Sequence, residues 1–252
     1  MKDALRILNL EDDKNDAELN EAMLAARWPQ CQLVRVDNRA NYIAALEQGS
    51  IDVILSDYTM PGFDGRTALA LAREKRPEVP FLFVSGTIGE DSAIEALKNG
   101  ATDYVLKHRL MRLIPAVDRA LRDAKERAER ERAEEAMRQS EYKYRELFES
   151  LADAAFLADE QSGKIIDTNR CAEILLGCPR AEILGRKQSQ FLALEQALPI
   201  EAGINTTVAC ECEMIRADGA TLPVEVRATR LTLYDRALVL RLCHDLSKVR
   251  TR

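Results

Sequence analysis

The chain has 252 residues, 46% of them apolar, and a formal charge of −6. That is length for two domains of ordinary size, with enough apolar content for packed cores. The acidic balance, without a dominant basic face, argues against direct DNA binding. No run of about 18 apolar residues exists to span a membrane, and the opening MKDALRILNLEDD turns acidic before a signal-peptide core could form. A cytoplasmic protein is expected. The six cysteines show no zinc spacing and read as small buried hydrophobes in a reducing compartment.

The first 115 residues alternate short apolar runs with helical stretches. The runs are 5–10, 31–36, 51–55, 80–85 and 102–107, with amphipathic segments at about 14–27, 39–48, 65–75 and 90–99. Regular crossovers of this kind predict a parallel sheet with helices on both faces, and Val-, Ile- and Leu-rich strands fit burial on both sides. From 118 to 135 the texture changes. Thirteen of these eighteen residues are charged and none is Gly or Pro, which predicts a long solvated helix. Val117, Leu121, Ala124 and Ala128 follow coiled-coil spacing. A second seam, Met137, Ser140, Tyr144, Leu147 and Leu151, is out of phase with it. Both a monomeric spacer helix and a parallel dimer helix are open, with the dimer preferred.

After 150, AAFLAD and KIIDTN flank a turn at QSG and predict a hairpin. A helix at about 169–176 and short helical pieces to about 198 follow. Three longer strands, TTVACECEMIR, TLPVEVRATRLTL and ALVLRLCHDL, close the chain, the first two joined through Asp218-Gly219. The expectation is an antiparallel sheet with helices on one face, an α+β domain.

In an open parallel sheet, ligands collect beyond the carboxyl ends of the strands. The first strand delivers Glu11, Asp12 and Asp13 there, the third Asp57, the fourth Ser85 and the fifth Lys107. Acids meeting at one edge repel, so a divalent cation is their natural neutraliser, and oxygen-only ligands suit magnesium. Lys107 and Ser85 could hold a phosphoryl oxygen, and the whole set suits phosphoryl transfer onto Asp57 as an acyl phosphate. Asp13 and Asp64 read instead as helix caps.

These residues stand within a pattern. The acid cluster, the D-x-x-M-P-x-x-D-G run at Asp57, V-S-G at Val84–Gly86 and D-Y-V-L-K at Asp103–Lys107 together resemble the response-regulator receiver family. The resemblance implies a flavodoxin-like sheet of order 2-1-3-4-5 and a receiver over 1–122. It also implies Asp57 as phosphoacceptor, with Glu11, Asp12, Asp57 and the Thr59 backbone carbonyl as metal ligands. Ser85 and Tyr104 resemble the switch pair, and Lys107 the family's lysine. The family usually has proline after that lysine, where this chain has His108. A linker helix is expected over 116–148.

Residues 141–248 resemble a PAS sensor domain, on YRELFESLADAAFLAD, the turn and strand Gly163–Asn169, and the closing C-H-D-L-S-K-V. The reactive-cysteine motif of flavin photoreceptors is missing, and residues 168–200 hold no histidine for a haem. No haem or flavin is expected, and the PAS ligand stays unnamed. His244-Asp245-Leu246 reads as a strand end rather than a kinase phosphoacceptor box. Two function classes follow. One is a non-enzymatic response regulator, partnered by a histidine kinase or phosphotransfer protein and dimerising through the linker helix and PAS domain. The alternative is the regulatory front of a larger hybrid sensor kinase or diguanylate cyclase.

Overall fold

The computed structural model describes residues 4–86, 90–192, 207–233 and 235–247. Two compact units result, Met1–Glu135 and Ala136–Arg252, each with its own sheet. In the first unit, β1 (Arg6–Leu10), β2 (Gln32–Val36), β3 (Val53–Ser56), β4 (Phe81–Ser85) and β5 (Asp103–Leu106) alternate with α1 (Lys14–Arg27), α2 (Arg39–Gln48), α3 (Gly65–Lys75) and α4 (Glu90–Lys98). All pairings are parallel, and the order is β2-β1-β3-β4-β5, as the receiver resemblance implies. β3 and β4 are buried along their whole length, whereas the edge strand β2 is largely exposed.

The period of two along each strand sorts the core into two layers. Leu8, Leu10, Ile54, Phe81 and Phe83 meet Tyr42 and Leu46 of α2, Leu69 and Ala72 of α3, and Ala96 of α4. Ile7, Val53, Leu55, Leu82, Val84 and Val105 meet Leu24 of α1 on the other face. A short 3₁₀ helix, Lys107–Arg112, leads into α5 (Leu113–Glu149), whose Pro115 sits in the first turn, where proline is tolerated. Leu113, Ala116, Val117 and Ala120 of α5 complete the second layer, with Leu121 packed against it.

That last contact corrects part of the coiled-coil expectation. Val117 and Leu121, the start of the first seam, pack into the receiver's own core, with the sheet residues and Leu24 of α1. Spacing alone cannot separate the two, because a 4-3-4 apolar stripe suits either partner. In the second seam, Met137 and Leu147 are exposed, and the Tyr144 ring stacks on Phe148 at 5.5 Å between centroids.

The second unit contains β6 (Ala154–Asp159), β7 (Ile165–Thr168), α6 (Arg170–Leu176), α7 (Arg180–Ile183), β8 (Thr207–Ile215), β9 (Thr221–Leu233) and β10 (Arg236–Asp245). Its sheet is antiparallel in the order β7-β6-β10-β9-β8. The short helical pieces expected to about 198 run past the described residues after Leu192, as does Lys248 at the end of the expected domain. Phe156, Val224, Val226, Met214 and Cys243 of the sheet pack on Leu176 of α6, Ile183 of α7 and Phe191. All six cysteines are free. Among the described residues, no helix is long and apolar enough to cross a membrane.

Candidate functional site

Parallel pairing brings the carboxyl ends of β1, β3, β4 and β5 to one edge. Glu11 follows β1 directly, and its amide donates to the Val36 carbonyl at 3.0 Å. Asp57 follows β3, held by its own amide donating to Leu10 O at 2.9 Å. Carboxylate oxygens of Glu11, Asp12 and Asp57 all lie within 4.8 Å of one another. Glu11 and Asp57 are buried and Asp12 is exposed, so the group opens to solvent on the Asp12 side. The Thr59 amide donates to Asp57 Oδ1 at 3.2 Å.

Lys107, just past β5, reaches back to this group. Its Nζ lies 2.7 Å from Asp57 Oδ2, 2.9 Å from Glu11 Oε2 and 2.6 Å from Asp16 Oδ2. One ammonium shared by three carboxylates leaves Glu11 Oε2 ion-paired but without an aligned hydrogen bond. Burial alone would lower the Lys107 pKa; the adjacent carboxylates of Asp16, Asp57 and Glu11 more than reverse this and raise it above the ordinary range. Burial pushes the Glu11 carboxyl up, with Asp57 adding to the rise and Lys107 opposing it. Ser85 ends β4, buried, on the strand beside β3. Tyr104 lies on β5, half-buried against the first layer of the core.

Several residues at this edge carry weight that the sequence did not reveal. Asp16 looks like an acid complementing the α1 dipole, yet it completes the ring around Lys107. Arg35 of β2 donates to the carbonyls of Glu11 (3.0 Å) and Asp12 (2.7 Å) and so fixes the acid-bearing loop. Asp13 and Asp64 are N-caps, accepting from the amides of Asn15 and Asp16 and of Thr67 respectively.

Residues 7–118 match the family model of the response regulator receiver domain, and residues 152–248 match that of the PAS domain. The chain carries a receiver domain followed by a PAS domain. Its receiver is similar to the response regulator protein FleR of Pseudomonas aeruginosa, 32% identical over 105 residues, covering 41% of this chain and 22% of FleR. It is also similar to the DNA-binding transcriptional regulator NtrC of Escherichia coli strain K12, 32% identical over 98 residues, covering 39% of this chain and 20% of NtrC. The chain thus spans about a fifth of the length of these two relatives. A PAS domain of an HTR-like protein from Haloarcula marismortui aligns with 46% of this chain and 98% of its own, at 25% identity and a TM-score of 0.41.

In the PAS domain the polar interior is organised around two side chains. Asn169 is fully buried and satisfies both ends of its amide: Oδ1 accepts from Ala155 N (2.9 Å) and Ala172 N (3.0 Å), and Nδ2 donates to Asp153 O (2.9 Å). It caps α6. Asp167 accepts from the Tyr144 hydroxyl at 2.9 Å and from Arg180 at 2.8 Å, with Arg145 at 3.4 Å. Burial pushes the Asp167 carboxyl up, but the bonds from Arg180, Tyr144 and the Thr168 amide outweigh it and hold it below the usual range. Burial and Asp167 push the Tyr144 phenol up to about 12. His244 lies in β10, its Nδ1 2.7 Å from Asp153 Oδ1.

Asp167→Asn is expected to lower the stability of the PAS domain by about 2 kcal/mol, since charge-assisted bonds from two arginines are lost. The depressed acid contributes stability that is present above the ordinary aspartate pKa and is lost as pH falls through the folded value. The gap between wild type and variant should therefore close in acid. Hydrogen exchange of β6 and β7 in urea, at neutral and acid pH, reads both effects; a gap that widened in acid would contradict them.

Proposed function

We propose that the chain is a two-component response regulator in which Asp57 accepts a phosphoryl group from a histidine kinase or phosphotransfer protein, with magnesium as the divalent cation. The observation that carries this reading is Lys107 Nζ, 2.7 Å from Asp57 Oδ2, beside three carboxylates whose oxygens lie within 4.8 Å of one another. The donor set fits the ion: all oxygen, more negative charge than one ammonium balances, and open to water at Asp12. Glu11, Asp12, Asp57 and the Thr59 carbonyl would hold it. Magnesium, when bound, supplies positive charge to the phosphoryl oxygens.

The remaining work falls to the chain's own side chains. An Asp57 carboxylate oxygen forms its bond to phosphorus while the bond from phosphorus to the donor breaks, and the donor leaves with that electron pair. Lys107 gives its charge to the transferred group. Ser85 donates its hydroxyl to a phosphoryl oxygen as it swings inward, and the Tyr104 ring fills the vacated space. The exposed Met137 and Leu147 support a homodimer through α5 and the PAS domain. In this reading the chain acts as a signalling module, not an enzyme, and its PAS domain holds neither haem nor flavin.

Intact mass after incubation with acetyl phosphate and magnesium tests the central claim. Wild type should gain one phosphoryl group and Asp57→Asn none, and omission of magnesium should suppress the gain. Equal labelling of wild type and variant would remove Asp57 from the role.

A further inference from the structure

Asp16 holds a place at the acid edge that the metal chemistry does not use. It lies in the first turn of α1, where the Asp13 cap accepts from its amide at 3.3 Å and the next residue, Ala17, is buried. Cap and core together fix the turn that carries it. From there its Oδ2 lies 2.6 Å from Lys107 Nζ, the shortest of that ammonium's contacts with Asp16, Asp57 and Glu11.

These contacts differ in kind. Asp16 and Asp57 each accept a hydrogen bond from Nζ, whereas Glu11 is ion-paired without an aligned one. An ammonium carries three protons, so it can serve Asp16 and Asp57 at the same time. Asp57 and Glu11 also belong, with Asp12, to the group of oxygens close enough to share one ion. Among the described residues, Asp16 stands outside that group. Of the acids around Lys107, it alone is left to the ammonium when a cation occupies the site.

A divalent cation on Glu11, Asp12 and Asp57 takes over the charge that holds Lys107 and sets a like charge beside it. Lysine has a flexible four-carbon stem and a strongly hydrated ammonium. Held by those acids alone, it would leave for water. We propose that Asp16 is a positioning residue that tethers Lys107 at the site while the cation is bound. One Nζ proton stays on Asp16, and the others face the transferred phosphoryl group. This deepens the reading of the edge as a magnesium and phosphoryl site, and rests on it. The ordinary alternative is a first-turn acid that complements the helix dipole, which would support α1 without holding the lysine.

Acetic anhydride at mildly alkaline pH, followed by peptide mass analysis of the full chain, reads the freedom of the Lys107 amine. Calorimetry on the same samples reads magnesium binding. In wild type, Lys107 should acetylate slowly with and without saturating magnesium. In Asp16→Asn it should stay slow without magnesium, where Asp57 and Glu11 still hold it. With magnesium it should acetylate about tenfold faster than in wild type, the factor for one lost charge-assisted pair. Asp16→Glu should restore the protection. Glu18→Gln, which removes another α1 acid whose ion partner is Lys14, should behave as wild type. Labelling by acetyl phosphate should slow in Asp16→Asn by a similar factor and recover in Asp16→Glu. Equal acetylation of Lys107 in Asp16→Asn and wild type, with magnesium bound to both, would overturn the tether. So would a rise in wild type itself on magnesium binding, or a rise in Asp16→Asn that magnesium does not change. A wild type that binds no magnesium would fail the metal reading, and the tether with it.

Discussion

Lys107→Met should lower the stability of the magnesium-free receiver by about 2–3 kcal/mol, because it removes the ammonium that pairs with three carboxylates there. Glu11 and Asp57 side chains are 1% and 11% exposed, so neither can recover its charge balance from water alone. Asp16, at 38%, can, which keeps the figure below that of a fully buried network. The single tryptophan, Trp28, packs against the second layer of the receiver core and reports unfolding. A fall in the urea midpoint of about 1 M or more is the expected reading. Magnesium should raise both midpoints but the variant's by more, since the ion then becomes the sole neutraliser of the acids. Some phosphorylation should survive in the variant, but the change in hydrogen exchange across β4 and β5 that follows it in wild type should vanish. Coincident midpoints without magnesium would show that the ammonium contributes nothing to the apo receiver.

The five strands of the receiver, its four helices and the residues Glu11, Asp57 and Lys107 at one edge were all legible in the sequence, and for one reason. Each lies at the end of an apolar run, and a parallel sheet forces those ends together. The residues that went unread are those whose role is set by reach across the fold. Asp16 meets Lys107 over 91 positions of sequence, and nothing local separates it from an ordinary first-turn acid. Arg35 lies on an exposed edge strand, where an arginine needs no explanation until its two carbonyl acceptors are seen. Val117 and Leu121 show the opposite case, a clear pattern that fits two partners: they pack in the receiver core, and the same spacing would suit a second helix. In the PAS domain, ALVLRLC reads as an alternating strand, with nothing local to say which way its arginine faces. Only the pairing of Arg241 with Phe156 and Ala228 turns that arginine inward.

Gly65 closes the run that begins at Asp57, and its replacement should be the most damaging single change at the site apart from loss of Asp57 itself. It begins α3, and its amide donates to Tyr58 O at 3.1 Å. A Cβ at Gly65 would lie 2.5 Å from the Asp57 carbonyl oxygen, 2.7 Å from Phe83 Cε1 and 3.0 Å from Tyr58 Cα. Two of these neighbours are backbone, and the third is a fully buried ring wedged edge-on against Phe81 and Tyr58. None is a flexible tip, so relief must come from movement of α3 or of the Asp57–Tyr58 backbone. Overpacking of this kind costs about 1–3 kcal/mol, and Gly65→Ala should fall in the upper part of that range. The same shift misplaces the carboxylate against Lys107, and a displacement of about 1 Å can slow a positioned reaction about a hundredfold. Gly62→Ala is the matched control. Gly62 has a φ of +77°, with nothing within 4 Å of its Cβ position. That substitution strains the turn by about 1 kcal/mol but pushes on no neighbour. Acetyl phosphate labelling, followed by intact mass over time at saturating magnesium, should therefore be slow in Gly65→Ala and close to wild type in Gly62→Ala. Labelling of Gly65→Ala at the wild-type rate would mean that α3 yields freely and that the close approach does not position Asp57.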